Sequence, residues 1–139
     1  MKGLDANVVI RYLVQDDLEQ SAIATTFIER ECTETQPGFI CHIVLCEVIW
    51  VLKTCYKVPK EKLVEIIQAL IETKQLSIQE PQVVWEALQV YQESTADFSD
   101  VLLMRVNQSK GCEYTVSFDA KAVKLLGMVK ISKSFSKLD

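Results

Sequence analysis

Short β-prone pieces alternate with longer helical stretches along this chain, and that alternation restricts the fold more than any other feature. The β-prone pieces are residues 2–4, 38–41, 76–78, 114–117 and 129–131. Between them the apolar residues recur at helical spacing. Ala24, Phe27 and Ile28 do so in residues 21–32, and Val44, Val48, Leu52 and Cys55 in residues 43–56. Pro59 and Pro81 each stand where a proline opens a helix, its lost N–H being one that a first turn leaves unpaired anyway. The apolar run 101–106 ends toward Gly111, a candidate C-terminal cap. Residues 7–14 fit both patterns, because Val8, Val9 and Ile10 are β-branched while Ile10, Leu13 and Val14 share a helical face. Strands alternating with helices predict an α/β fold around a mostly parallel sheet. Ligands of such sheets bind at the carboxyl ends of the strands.

With 139 residues, of which 49% are apolar, the chain is expected to form one domain over residues 1–131, with 132–139 as a candidate disordered tail. No apolar run is long enough for a membrane helix, and the opening Met-Lys-Gly-Leu-Asp does not read as a signal peptide, so a cytoplasmic location is expected. The five cysteines, Cys32, Cys41, Cys46, Cys55 and Cys112, are odd in number and lack Cys-x-x-Cys spacing. They are expected to be reduced thiols, several of them buried. The only histidine is His42, so chemistry built on histidine would hang on one residue that is more simply read as packed or at a helix end. A net charge of −4 argues against a broad basic surface for nucleic acid. Any nucleic-acid chemistry must then rest on a local site, a bound cation or a partner.

Four of the nineteen acids stand in unusual places. Asp5 follows the first β-prone piece and Asp119 the fourth, both where a parallel sheet builds its site. Glu47 is the only charge in Ile43-Val44-Leu45-Cys46-Glu47-Val48-Ile49-Trp50-Val51-Leu52, so it is read as a costly buried carboxylate that needs a partner. Asp100 opens the apolar stretch Val101-Leu102-Leu103-Met104. Each acid has a plainer reading: Asp5, Asp97 or Asp100, and Asp119 as helix N-caps, and Glu47 as half of an ion pair. Asp97 and Asp100, three apart, imitate a capping box, and both readings compete for them. If the strand ends converge, the acids repel one another unless a hard divalent cation neutralises them. Oxygen-only ligands favour Mg²⁺ or Mn²⁺, and the usual chemistry of such a site is phosphodiester hydrolysis.

Four segments in order resemble the motifs of PIN domains. They are Leu4-Asp5-Ala6-Asn7-Val8-Val9-Ile10-Arg11-Tyr12-Leu13, Val44-Leu45-Cys46-Glu47-Val48-Ile49-Trp50-Val51-Leu52, Ala96-Asp97-Phe98-Ser99-Asp100-Val101-Leu102-Leu103 and Thr115-Val116-Ser117-Phe118-Asp119. The resemblance, to the VapC toxin type within that family, runs from Leu4 to about Ile131. It implies a three-layer α/β/α sandwich, metal ligation by Asp5, Glu47, Asp100 and Asp119, and supporting hydrogen bonds from Asn7 and Ser117. It further implies a Mg²⁺- or Mn²⁺-dependent endoribonuclease, the toxin of a toxin–antitoxin pair. An RNA substrate, a small antitoxin partner and a homodimer go with that reading. Where the fourth motif often carries a second acid, this chain has Lys121, which puts a fifth ligand in doubt.

Other readings fit less well. An aspartyl phosphatase needs Asp-x-Asp where this chain has Asp5-Ala6-Asn7, and a receiver domain places its phosphoacceptor far deeper in the chain than Asp5. A non-catalytic PIN-like binding module and a DNA nuclease of the same fold stay open at this stage.

Overall fold

In the computed structural model, which describes residues 1–132, every strand pairing is parallel. Strand β1 (Lys2–Gly3) lies beside β2 (Gly38–Ile40), and β2 beside β3 (Leu76–Ile78), in the order β1-β2-β3. Lys2 pairs with Gly38, and Gly38 with Leu76. A second ladder joins β4 (Val116–Ser117) to β5 (Val129–Lys130), with Val116 opposite Val129. The chain forms two compact units, Met1–Pro81 and the part from Gln82 onward, and each ladder lies within one of them. The expected tail falls almost wholly outside the described residues.

In the first unit the ambiguous segment after β1 is helix α1 (Ala6–Val14). Its apolar residues bury Ala6, Val9 and Ile10 on one side, a periodicity no strand can supply. The helix stops at Gln15, whose left-handed backbone (φ 62°) returns its N–H to the Arg11 carbonyl while its side-chain amide donates to the Tyr12 carbonyl at 2.8 Å. Helix α2 (Leu18–Thr26) begins three residues before the expected stretch, because the Asp17 carboxylate accepts the Gln20 N–H at 3.0 Å and caps it. The chain then widens into a π-helical turn, Phe27–Glu31. Gly38 in β2 is required by packing: a β-carbon there would lie 2.8 Å from Leu4 Cδ1 and 3.1 Å from Cys32 Sγ.

Helix α3 (His42–Thr54) buries Leu45, Val48, Ile49 and Leu52, and α4 (Lys60–Glu72), entered from Pro59, buries Leu63, Val64, Ile67 and Leu70. His42 sits at the start of α3, where its Nε2 lies 2.8 Å from the Gln79 carbonyl oxygen and its backbone N–H donates to Gln79 Oε1 at 2.9 Å. The lone histidine therefore joins α3 to the end of β3. It packs at a helix end as the sequence suggested.

In the second unit, α5 (Pro81–Glu93) begins at the expected proline, and α6 (Phe98–Ser109) runs to Lys110, with Gly111 left-handed (φ 90°) just beyond. Tyr91 and Phe98 meet edge to face at 5.5 Å, and Arg105 of α6 donates from Nε to Glu86 of α5 at 3.1 Å. Helix α7 (Ala120–Leu126) follows β4 and ends at Gly127 (φ 71°). All five cysteines are free thiols, although only Cys32 is fully buried. Among the described residues no helix is long and apolar enough to cross a membrane. The fold is α/β, with parallel strands joined through helices.

Candidate active site

Asp5 and Asp119 sit where a β-strand hands over to a helix, Asp100 lies in the first turn of α6, and Glu47 lies within α3. Asp5 lies two residues past β1, at the N-cap of α1, with extended backbone (φ −82°, ψ 158°). Its side chain bonds no N–H of that helix and has no hydrogen-bond or ion-pair partner among the described residues. It is exposed. Asn7 is exposed on the first turn of α1 and lines a cavity of about 450 Å³ walled mainly by Leu4, Val8, Ile23, Ala24 and Phe27.

Glu47 departs from expectation. It is exposed rather than buried, and it has no partner among the described residues. Helical geometry explains the change: Leu45, Val48, Ile49 and Leu52 form the buried face of α3, whereas positions 43, 47 and 50 fall on the opposite face. That face keeps two large apolar side chains in solvent, Ile43 at 79% exposure and Trp50 at 61%. An apolar run around a charge thus marks a helix with an unusually apolar outer face, not a charge inside the core.

In the second unit Asp97 occupies the N-cap of α6, so Asp100 falls on its first turn. The imitation of a capping box does not carry through, since the Asp97 side chain bonds no N–H of the helix. Its charge instead acts on two neighbours. Burial pushes the Tyr91 hydroxyl up, and Asp97 adds to it. The half-buried Asp100 carboxyl is raised first by burial, then by the nearby charges of Asp97 and Asp119, with Lys121 opposing. Asp119 caps α7 by accepting the Lys121 N–H at 2.9 Å. Ser117 Oγ accepts the Asp119 N–H at 2.9 Å, so it supports that residue's backbone and not its carboxylate.

The structure therefore brings Asp97, Asp100, Asp119 and Lys121 into electrostatic contact. Among the described residues no three His, Cys, Asp or Glu side chains form a group that could hold a metal ion as they stand. Carboxylates are donors that suit a hard cation: Asp5 and Glu47 have no partner among the described residues, and the Asp100 carboxyl is raised by burial and by like charges that a divalent ion would offset. Among the cysteines, burial raises the Cys46 thiol and so disfavours its thiolate.

Residues 3–125 match the PIN domain family. The chain belongs to that family. Its four acid-bearing segments all fall within the matched residues, so this PIN domain spans both compact units. It is also similar to a VapC ribonuclease of Aquifex aeolicus (strain VF5), with 23% identity over 90% of this chain and 92% of the relative.

Sequence reasoning missed one polar network of this PIN domain. Arg11 donates to Gln20 at 2.8 Å and lies 3.3 Å from Asp16, while the Tyr56 hydroxyl donates to Asp16 at 2.8 Å. The Tyr56 bond, helped by Arg11, holds the Asp16 carboxyl below its ordinary range. The network joins α1, α2 and the end of α3 beside the cavity. Its only sequence signal was an arginine four residues beyond Asn7, one helical turn away.

Proposed function

We propose that this PIN domain is a Mg²⁺- or Mn²⁺-dependent endoribonuclease in which Asp5, Glu47, Asp100 and Asp119 are the metal ligands. The observation that carries the reading is the family match over residues 3–125, which contains all four acids, each at the end of a strand or in the first two turns of a helix. Asp100 adds support, since a carboxyl raised by burial and by two neighbouring like charges is a poor structural residue and a good cation ligand. Bound cations would supply the positive charge that a chain of net −4 lacks, lower the pKa of an attacking water and stabilise the departing oxygen. The four carboxylates would hold the cation in place. Asn7 lies two residues after Asp5 in the first turn of α1, and Ser117 fixes the backbone that presents Asp119.

The likeness to a VapC ribonuclease supports a biological role as the toxin of a toxin–antitoxin pair, acting on RNA, forming a homodimer in the cytoplasm and held in check by a small antitoxin. The test of the chemistry is cleavage of a structured RNA by purified protein in Mg²⁺, Mn²⁺ or EDTA. Cleavage in either metal and none in EDTA is expected. Equal cleavage in EDTA overturns the metal assignment, and binding without cleavage in any metal marks a non-catalytic PIN module. A small antitoxin-like reading frame immediately upstream of the gene is the expected genetic context.

A further inference from the structure

A ribonuclease of net charge −4 has to hold its substrate without a broad basic surface. The bases are the other handle that RNA offers. They stack on aromatic rings at no electrostatic cost, but only where the strand is single and its bases can be splayed out.

Among the described residues two aromatic side chains stand in solvent, and each adjoins a proposed metal ligand. Trp50, 61% exposed, lies three residues after Glu47 on the outer face of α3, with Ile43, 79% exposed, one turn before Glu47 on the same face. Phe118 is 81% exposed and directly precedes Asp119. Large aromatic side chains normally bury most of their surface, so leaving either in water costs stability unless something covers it during function. Each ring is carried on a fixed backbone. Trp50 projects from the middle of a thirteen-residue helix whose other face is core. The backbone on either side of Phe118 is fixed by two bonds, Ser117 Oγ to the Asp119 N–H and the Asp119 carboxylate to the Lys121 N–H, both 2.9 Å. A ring carried on a fixed backbone adds no backbone ordering cost when a base stacks on it.

We propose that Trp50 and Phe118 are base-stacking positions that hold single-stranded RNA, each beside a carboxylate that works on its phosphodiester. The proposal rests on the ribonuclease reading for its chemistry and on the two exposed rings for its ligand. Discrimination against duplex follows, because paired bases present no free face. Weak dependence of binding on salt also follows, because few phosphate contacts release counterions.

The test uses the full chain with a single-stranded oligoribonucleotide and the same strand in a duplex. Trp50→Ala and Phe118→Ala should each raise KM for the single strand by roughly five- to a hundredfold, the span of one base–aromatic stack, with kcat changed far less. Trp50→Phe should recover most of the loss. The metal-induced rise in Tm of both alanine variants should match that of the parent, which separates substrate binding from metal binding. A readout independent of turnover is indole fluorescence in a Trp85→Phe background, where Trp50 is the only tryptophan; single-stranded RNA in EDTA should quench it. Unchanged KM in both alanine variants with no quenching overturns the proposal while leaving the ribonuclease reading intact. A Trp50→Ala variant that dissociates from dimer to monomer without losing RNA affinity also overturns it, since the ring then serves a second copy of the chain. Quenching without cleavage in any metal overturns the ribonuclease reading and leaves the stacking in place.

Discussion

The Asp119 carboxylate accepts the backbone N–H of Lys121 at 2.9 Å and thereby closes the first turn of α7. One side chain thus serves as a helix cap and as a proposed metal ligand, and substitution can separate the two. Asparagine caps a helix about as well as aspartate, but it brings no charge to a cation. Asp119→Asn should keep the parent's stability and lose at least about a hundredfold in cleavage rate, the scale of a well-placed electrostatic group. Asp119→Ala should lose the same activity and about 1 kcal/mol of stability as well. The measurements are urea-unfolding midpoints and cleavage rates at saturating Mn²⁺. An active Asp119→Asn enzyme would leave the residue a cap alone.

Asp97 and Asp100 divide differently from what a capping box suggests. Asp97 binds none of the N–H groups of α6, but its charge helps raise the Asp100 carboxyl. Asp97→Asn should therefore lower the Asp100 pKa part of the way toward its ordinary value and keep much of the activity, whereas Asp100→Asn should abolish cleavage. Carboxyl chemical shifts followed against pH in metal-free protein report the first effect. An inactive Asp97→Asn protein beside an active Asp100→Asn would reverse the two roles.

The raised Asp100 carboxyl also sets a direction for stability against pH in the metal-free protein. Its folded pKa lies above its unfolded value, so the folded state binds the proton more tightly. That contribution is complete in acid and is lost as pH climbs from about 4, the unfolded aspartate value, through the raised folded one. Asp100→Asn should accordingly be the more stable protein near neutral pH in EDTA, with the difference shrinking in acid. Thermal melts between pH 3 and 8 check the sign, and a parent that is more stable than the variant at pH 7 contradicts it.

Glu47 is exposed and unpartnered among the described residues, so nothing in the core depends on its charge. Glu47→Gln should change unfolding free energy by less than about 0.5 kcal/mol, as surface substitutions do, and stop cleavage. A Tm several degrees lower would reveal a structural ion pair.

Ser21 is 1% exposed in the middle of α2, and its hydroxyl has no hydrogen-bond partner among the described residues. A buried, unsatisfied hydroxyl costs about 1–3 kcal/mol, and alanine is the better helix former. Ser21→Ala should shift the urea midpoint upward. A downward shift would show that the hydroxyl is satisfied in solution.

Local sequence carried much of this protein. The five β-prone pieces all became strands within a residue or two, β3 at the predicted bounds, because short β-rich runs between helix-period segments have no competing local structure. Pro81 opened α5 and Gly111 followed α6 for conformational reasons that act within one turn. The order of the four motifs was equally legible, since a motif is a matter of spacing along the chain.

Tertiary structure decided what local pattern leaves open. Residues 7–14 fitted strand and helix alike until Val9 and Ile10 found a core on one side, and only the helix buries both. Glu47 looked buried because its neighbours are apolar, but burial belongs to a helix face, and Leu45, Val48, Ile49 and Leu52 placed their own face inward, leaving Glu47, Ile43 and Trp50 in solvent. Asp97 was the natural cap by spacing, yet its charge acts on Asp100 one turn on and on Tyr91, which the packing of α5 beside α6 brings near it. Whether a carboxylate caps, pairs or waits for a cation is set by what stands within a few ångströms of it, and in a folded chain most of those neighbours come from elsewhere in the sequence.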